Sequence, residues 1–174
     1  MKPVNIRRLN AKEALSLSPG LAALLQDAVA SGASVGFLPP LSFEDAEAYW
    51  REVIAALHGP DRILLIAVIG GAIVGTVQLD MATRPNGRHR AEVAKLMVHT
   101  EYRRRGIAQA LMHAIEEEAR HAGRSTVVLD TREGDPSVRL YERVGYLKAG
   151  TIPEYARSAD GTLHSTVFMY KLLD

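Results

Sequence analysis

Hydrophobic and polar positions follow two different periods in the first half of the chain. Residues 4–9 alternate as a half-buried strand does, since successive strand side chains point to opposite faces. Ser42 and Asp45 form a capping signal ahead of apolar residues at helical spacing. Apolar runs on both sides of Gly70-Gly71 indicate a β-hairpin. The predicted elements are a strand at 4–9, helices at 19–31 and after Ser42 (with Ala46, Trp50, Val53, Ile54 and Leu57 on one face), and strands at 62–69 and 72–82.

The second half alternates strands with helices and ends in two further strands. A strand–helix–strand crossover makes its two strands parallel, whereas strands joined by hairpins are antiparallel. We therefore predict an α+β fold with a mixed, mostly antiparallel sheet of about six to seven strands, a central parallel pair and about four flanking helices. The predicted elements are strands at 91–98, 126–131, 146–158 and 162–172, a helix at 106–122 and a short helix at 136–144 that begins with Pro136.

Composition excludes several classes of protein. The length of 174 residues suits a single domain, and a net charge of +1 gives no overall case for binding nucleic acid or an anionic membrane. The chain has no cysteine, which excludes disulfides, thiolate catalysis and cysteine-ligated zinc, and its six histidines show no metal-ligand spacing. The N-terminal residues lack the apolar core of a signal peptide and no apolar run is long enough to span a bilayer, so we expect a cytoplasmic protein. The oligomeric state is left open, a homodimer included.

The segment "YRRRGIAQAL" at residues 102–111 has the form of an anion site. It follows a predicted strand and opens an amphipathic helix, whose N-terminus carries unpaired N–H groups and a partial positive charge. Gly106 removes a Cβ where a phosphate would approach the backbone, and Ala108 keeps the next turn thin. The alternative interpretation is a solvated basic turn before an ordinary helix.

Two motifs together resemble the GNAT superfamily of N-acetyltransferases. Arg103-x-x-Gly106-x-Ala108 is similar to the acetyl-CoA-binding pattern of that family, and "LYERVGY" at 140–146 is similar to its helix-borne tyrosine before a Gly-aromatic pair. The resemblance implies acetyl-CoA as co-substrate, and the absence of metal-ligand spacing adds the expectation of no metal. It implies that the backbone of one segment pairs with the pantetheine arm and that the next segment surrounds the pyrophosphate. These segments are Leu96, Met97 and Val98, and then Arg103, Arg104, Arg105, Gly106, Ile107 and Ala108. Many family members have an asparagine where this chain has Gly134, so a side-chain contact from that position is not expected.

Acetyl transfer to an amine needs a proton donor for the leaving thiolate and a base for the attacking amine. The resemblance places Tyr141 beside the cofactor sulfur, and a phenol with an ordinary pKa of about 10 is a proton donor at neutral pH. Glu92, at the start of the central strand, is the candidate base, directly or through water. Asp130, at the end of the next strand, is the rival base or an anchor for the ammonium group. Each residue also has a structural interpretation: a packed tyrosine, a solvated strand carboxylate and a turn-capping aspartate.

Three segments outside the shared cofactor motif are similar to a branch of the superfamily that acetylates the amino-acid toxin tabtoxinine-β-lactam. They are "GASVGF" at 32–37, "PNGRHRAEVAKLMV" at 85–98 and "DGTLH" at 160–164. A compact zwitterionic acceptor needs a carboxylate for its ammonium group, a cation or backbone donors for its carboxylate, and a lid that excludes water. Glu92 and Asp130 are the candidates for the first. Arg90 or His164 is the candidate cation, and the loop 32–41 with an exposed-looking Phe37 as apolar plug is the candidate lid.

The sequence thus predicts an acetyl-CoA-dependent N-acetyltransferase that acts on a small-molecule amine and confers resistance to a toxin or antibiotic. Two alternatives remain open. One is the same chemistry on a protein N-terminus or lysine side chain, which a wide acidic groove would favour. The other is an acyl-CoA-binding sensor without catalysis, which the presence of Glu92, Asp130 and Tyr141 disfavours.

Overall fold

A computed structural model describes residues 3–174, which form a seven-stranded sheet with helices on both faces. The strands are β1 (Asn5–Leu9), β2 (Arg62–Ile69), β3 (Ala72–Met81), β4 (Arg90–Val98), β5 (Thr126–Arg132), β6 (Leu147–Arg157) and β7 (Leu163–Leu172). The helices are α1 (Ala11–Ser16), α2 (Ser18–Ala30), α3 (Phe43–Ala56), α4 (Ile107–His121) and α5 (Pro136–Arg143). Short 3₁₀ turns at Pro85–Gly87 and Thr100–Tyr102 precede β4 and α4.

The strand order across the sheet is β1-β2-β3-β4-β5-β7-β6. Only β4 and β5 pair in parallel among the described strands, and the other neighbours are antiparallel. The parallel pair follows from the α4 crossover, because a connection across one face returns the chain in the same direction. The predicted α+β class and the central parallel pair are therefore confirmed.

Helices on the two sheet faces enclose two separate cores. On one face α4 packs its apolar side on β2, β3 and β4, where Gly75 permits close approach: a Cβ there would lie 3.0 Å from Leu111. On the other face α1, α2 and α3 surround the fully buried Trp50. The buried apolar positions of α4 recur at helical spacing, which explains why the pattern predicted this helix; they are Ile107, Leu111, Met112, Ile115 and Ala119.

The N-terminal helical region differs from the prediction in one element. The sequence predicts one helix at 19–31, whereas the structure has α1 as a separate helix and α2 starting at Ser18. A capping box holds the start of α1: the Asn10 side chain accepts from Glu13 N–H at 2.9 Å, and the Glu13 carboxylate accepts from Asn10 N–H at 3.0 Å. The spacing Asn10-x-x-Glu13 was the available signal. The described residues therefore form five α-helices where about four are predicted.

The centre of the sheet opens where β4 leaves β5. Their parallel pairing runs only from Arg90–Thr126 to Glu92–Val128, after which the strands are no longer paired. On its other edge β4 carries a bulge between the pairs Gln78–Ala94 and Thr76–Met97. Lys95 lies in this bulge with a φ of 53°, a left-handed conformation that is uncommon for a residue with a side chain. The divergence leaves a wedge between the C-terminal halves of the two strands.

Candidate active site

A cleft of about 1160 Å³ occupies the wedge between β4 and β5. Its walls come from the C-terminal part of α2, the loop 31–39, the second half of β4, the ends of β5 and β6, and the start of α5. Ligand sites commonly gather at such a break between parallel strands, because no neighbouring strand occupies the backbone groups there. The predicted site residues that line the cleft are Phe37, Glu92, Leu96, Met97, Val98, Arg103, Ala108, Asp130 and Tyr141.

The segment predicted as an anion site lies at the N-terminus of α4. Gly106 is the N-cap residue with a φ of 77°, and its carbonyl accepts the Ala110 N–H at 3.0 Å. The first-turn N–H groups, including those of Ile107 and Ala108, have no carbonyl partner within the helix. Ile107 contributes only backbone here, because its side chain is buried in the core beneath the sheet. Backbone donors at a helix start are therefore available to a phosphate.

Two of the three predicted arginines are engaged within the protein. The Arg103 guanidinium donates to the Val98 carbonyl at 3.1 Å and to the Ser31 hydroxyl at 2.7 Å. Arg105 donates to the Glu101 carbonyl at 2.9 Å and lies over the Tyr102 ring. Arg104 is exposed, with a φ of 59° that turns the loop before α4. These arginines shape the loop as well as adding positive charge to it.

Tyr141 faces the cleft from α5 and is 7% exposed. Helix α5 begins at Pro136, and Tyr141 is the one residue of this helix that is buried. The helix therefore presents Tyr141 inward. Burial raises the pKa of the Tyr141 hydroxyl well above its ordinary value, and the Asp130 carboxylate raises it further. The phenol therefore stays protonated across the accessible pH range and has a proton to donate.

Glu92 and Asp130 stand on neighbouring strands at the point where the wedge opens. Glu92 is opposite Val128 in the register, and Asp130 follows two residues later. Glu92 is largely exposed, yet the cleft walls remove part of the water around its carboxylate, and this partial burial raises its pKa; Asp130 and Asp80 raise it further. Asp130 accepts a hydrogen bond from the Thr166 hydroxyl of β7 at 2.8 Å. The wedge therefore has two carboxylates on neighbouring strands: Glu92, whose pKa is raised, and Asp130, which a hydrogen bond holds in place.

Lys95 also lines the cleft, and the sequence patterns did not single it out. Its ammonium lies 5.9 Å from the centre of the Tyr49 ring, and burial lowers its pKa. The Asp130, Asp80 and Glu92 carboxylates act in the opposite direction on that pKa. Lys95 was missed because strand alternation does not reveal a bulge, which changes where the following side chains point.

The loop 32–41 lies against the cleft as predicted, but Phe37 is not a freely exposed plug. Phe37 is half-buried and packs edge-on against Tyr49, with ring centroids 5.3 Å apart. Arg132 connects this loop to two others: it donates to the Gly32 carbonyl at 3.2 Å, to the Ser158 hydroxyl at 3.2 Å and to the Asp135 carboxylate at 2.9 Å. The loop is thus held by a hydrogen bond at Gly32 and by ring packing at Phe37.

Two predicted acceptor-binding residues are not among those that line the cleft. The Arg90 guanidinium lies against the 3₁₀ turn at Pro85–Gly87, where a Cβ on Gly87 would be 3.7 Å from Arg90 Nη2. His164 pairs with Ala156 on β6, while its neighbours Ser165 and Thr166 line the cleft. The cations that do line it are Lys95, Arg103, Arg132 and Arg157.

Two further features of residues 3–174 bear on the class of site. No helix in that range is both long enough and apolar enough to cross a membrane. Over the same range, no three acidic or histidine side chains converge in a group that could hold a metal ion.

Comparison with known proteins agrees with the geometry. The model of the acetyltransferase (GNAT) family matches residues 27–146. An uncharacterized N-acetyltransferase from the hisH-hisA intergenic region of Azospirillum brasilense is 37% identical over 109 residues, which cover 62% of this chain and 63% of that protein. The L-amino acid N-acetyltransferase AaaT of Escherichia coli is 30% identical over 112 residues, which cover 62% of this chain and 65% of that protein. The chain thus spans less than two thirds of the length of these relatives.

A solved structure shares the fold over nearly the whole chain. The acetyltransferase yncA of Salmonella typhimurium, determined with acetyl-CoA, has a TM-score of 0.78 at 17% identity, covering 98% of this chain and 94% of that one. The family match includes the α4 motif and the Tyr141 helix, the two segments from which the resemblance was inferred. The chain belongs to the GNAT acetyltransferase family.

Proposed function

We propose that this chain transfers the acetyl group of acetyl-CoA to the primary amine of a small, amino-acid-like acceptor. One observation carries the proposal: the wedge between β4 and β5 brings Glu92, Asp130 and Tyr141 into one cleft with residues of the α4 motif. An anion site, a proton donor and a base are the parts that direct acetyl transfer requires.

The residues present fit acetyl-CoA. The N–H groups at the start of α4 suit the pyrophosphate, and the absence of a Cβ at Gly106 leaves room for it, since nothing lies within 4 Å of that position. The edge of β4 beyond Glu92 has no strand partner on the β5 side, so the backbone of Leu96, Met97 and Val98 is the surface for the pantetheine arm. Acetyl-CoA would supply the activated acetyl group.

Each catalytic residue has a defined task in the transfer. Glu92, directly or through water, takes a proton from the acceptor ammonium so that the nitrogen lone pair can attack the thioester carbonyl. The new C–N bond forms as the C–S bond breaks, and the phenol of Tyr141 protonates the departing thiolate. The second proton that the nitrogen loses returns, through water, to the Tyr141 phenolate, which gives the neutral amide and restores the phenol. Asp130 holds the ammonium group beside Glu92, or replaces Glu92 as base. Its bond to Thr166 fixes its position for either task.

The acceptor class rests on sequence similarity and on the shape of the cleft. The segments at 32–37, 85–98 and 160–164 are similar to the tabtoxin resistance protein, which makes tabtoxinine-β-lactam the leading acceptor. The AaaT relative is named for acting on L-amino acids, which have the same ammonium and carboxylate groups. Residues 32–39 of the loop 32–41 line the cleft, and Phe37 packs on Tyr49 there, an enclosed arrangement that suits a compact ligand.

Steady-state release of CoA thiol tests this proposal directly. We expect kcat/KM for tabtoxinine-β-lactam or a neutral L-amino acid to exceed that for an aminoglycoside and for a lysine-containing peptide. A peptide preferred over all small molecules would favour a protein acceptor. Absence of thiol release with every amine, while acetyl-CoA still binds, would favour an acyl-CoA sensor.

A further inference from the structure

We propose that Lys95 binds the carboxylate of the acceptor and makes the site selective for amino acids over amines without a carboxylate. This inference rests on the proposed function and names the substrate class more narrowly. It replaces Arg90 and His164, the two cations that the sequence suggested, because neither lines the cleft.

The β4 bulge places Lys95 in the wall of the cleft, beside the loop 32–41. Its φ of 53° is costly for a residue with a Cβ, and such strain persists only where the surrounding structure enforces it. The ammonium lies 5.9 Å from the centre of the Tyr49 ring, on the wall that also carries Phe37. A Cβ on Gly36 would lie 3.4 Å from Lys95 Nζ, so the loop 32–41 passes directly beside this group.

Lys95 has charged neighbours but no ion-pair partner. Glu92, Asp130 and Asp80 are close enough to influence it, yet among residues 3–174 no carboxylate oxygen lies within 4.0 Å of its Nζ. Asp80 instead pairs with Arg62 at 2.5 Å. A half-buried ammonium without an anionic partner has lost part of its hydration. An anionic ligand would replace the lost water contacts with charged hydrogen bonds.

The other cations of the cleft are less suited to this task. Arg103 is bound to Val98 and Ser31, and Arg132 is bound to Asp135, Ser158 and Gly32. Arg157 is exposed near the β6–β7 hairpin, where water screens its charge. Lys95 is therefore the cation that combines partial burial with an available donor.

Glu92 and Lys95 together form a two-point site for a zwitterion. Both lie on β4, three residues apart, with Asp130 on the facing strand. The acceptor ammonium would lie at Glu92 and Asp130 and its carboxylate at Lys95. An α-amino acid has these two groups on one carbon, which matches a compact site with opposite charges side by side.

The test compares neutral L-amino acids with their carboxamides in four proteins. L-leucine, L-serine and L-glutamine and the matching amides are assayed with wild type, Lys95→Met, Lys95→Arg and Arg157→Met. We expect Lys95→Met to lower the acid-to-amide ratio of kcat/KM roughly ten- to hundredfold, mainly through KM, as for loss of a charged hydrogen bond. Lys95→Arg should keep most of the preference, and Arg157→Met should keep all of it.

Two results would overturn the assignment. One is an unchanged ratio in a Lys95→Met protein whose thermal unfolding remains cooperative. The other is loss of the preference in Arg157→Met instead. Stabilisation of the CoA complex by each amino acid is measured as a thermal shift, so the assignment stays testable without turnover. If wild type releases no thiol with any amine but Lys95→Met alone loses the shift, the proposed reaction fails while the carboxylate site stands.

Discussion

Asp27 of α2 accepts two hydrogen bonds from Thr100, one from its backbone N–H and one from its hydroxyl, each 2.8 Å long. Thr100 lies in the 3₁₀ turn between β4 and the α4 motif. His99 adds a third contact, with its Nε2 3.8 Å from the same carboxylate. Asp27 thus joins the helix that leads into the loop 32–41 to the turn that leads into the phosphate site.

We expect Asp27→Ala to weaken acetyl-CoA binding by roughly tenfold. A hydrogen bond to a charged group contributes about 1.5–3 kcal/mol, and part of the loss reaches the ligand through a looser turn. Isothermal titration calorimetry gives the Kd. The Kd of Asp27→Asn should lie between those of wild type and Asp27→Ala, because the amide oxygen can accept one of the two hydrogen bonds. An unchanged Kd for Asp27→Ala would mean that the α4 motif holds its shape without this contact.

Two glycines at the ends of α4 allow the effect of a Cβ on acetyl-CoA binding to be distinguished from its effect on backbone strain. Gly106 precedes the helix with a φ of 77°, Gly123 follows it with a φ of 70°, and an added Cβ meets nothing within 4 Å at either position. Gly106→Ala and Gly123→Ala should both destabilise the fold by about 1–2 kcal/mol, the cost of a left-handed residue with a Cβ. Only Gly106→Ala should weaken acetyl-CoA binding, and Gly106→Val should weaken it more. Equal affinities for the two alanine variants would argue against phosphate at Gly106.

The sheet was predictable because its pattern is local. Strand periodicity and the hairpin glycines indicated β2 and β3, and the crossover through α4 fixed the parallel pair. The break between β4 and β5 after Glu92 was not predictable from the sequence. Tertiary packing decides how far two strands stay paired, and the spacing of residues along the chain does not indicate it.

The site shows the same division. The α4 motif and the Tyr141 helix had recognisable sequence signatures, and both contribute to the cleft. Lys95 had none, since its exposure to the cleft follows from a β-bulge. Arg90, only five residues earlier on the same strand, had a promising charge but lies against a turn. Charge in a sequence identifies candidates, whereas strand geometry selects among them.

Tyr141→Phe should lower kcat by about 10²–10⁴-fold, the usual contribution of a general acid, if departure of the thiolate limits the rate. The affinity for acetyl-CoA should change little, because the substitution removes only a hydroxyl. Tyr146→Phe is a matched control: Tyr146 is also buried, with its ring centroid 6.0 Å from that of Tyr141, but is not among the residues that line the cleft. Single-turnover rates distinguish the two. A near-normal rate for Tyr141→Phe would show that water or another donor supplies the proton.

Glu92→Gln should make the free energy of unfolding less dependent on pH in the range just above the ordinary pKa of a glutamate. Partial burial and the nearby Asp130 and Asp80 raise the pKa of Glu92 in the folded protein. In the window between the ordinary and the raised pKa, the folded chain therefore binds more protons than the unfolded chain, and the free energy of unfolding falls as pH increases. Glutamine removes this loss. Denaturant titrations from about pH 4 to 7 should show the variant gaining stability relative to wild type as pH rises.

The same raised pKa makes the two candidate bases distinguishable by activity. If Glu92 is the base, the acid limb of kcat/KM in wild type lies above the ordinary pKa range of a glutamate, since the carboxylate must be ionised to accept a proton. Asp130→Asn removes one of the charges that raise the pKa of Glu92, so this limb should move to lower pH while turnover persists. If Asp130 is the base, the same substitution should instead abolish the limb and most of the rate. Glu92→Gln should then leave the limb in place, whereas with Glu92 as base it should push useful turnover to more alkaline pH.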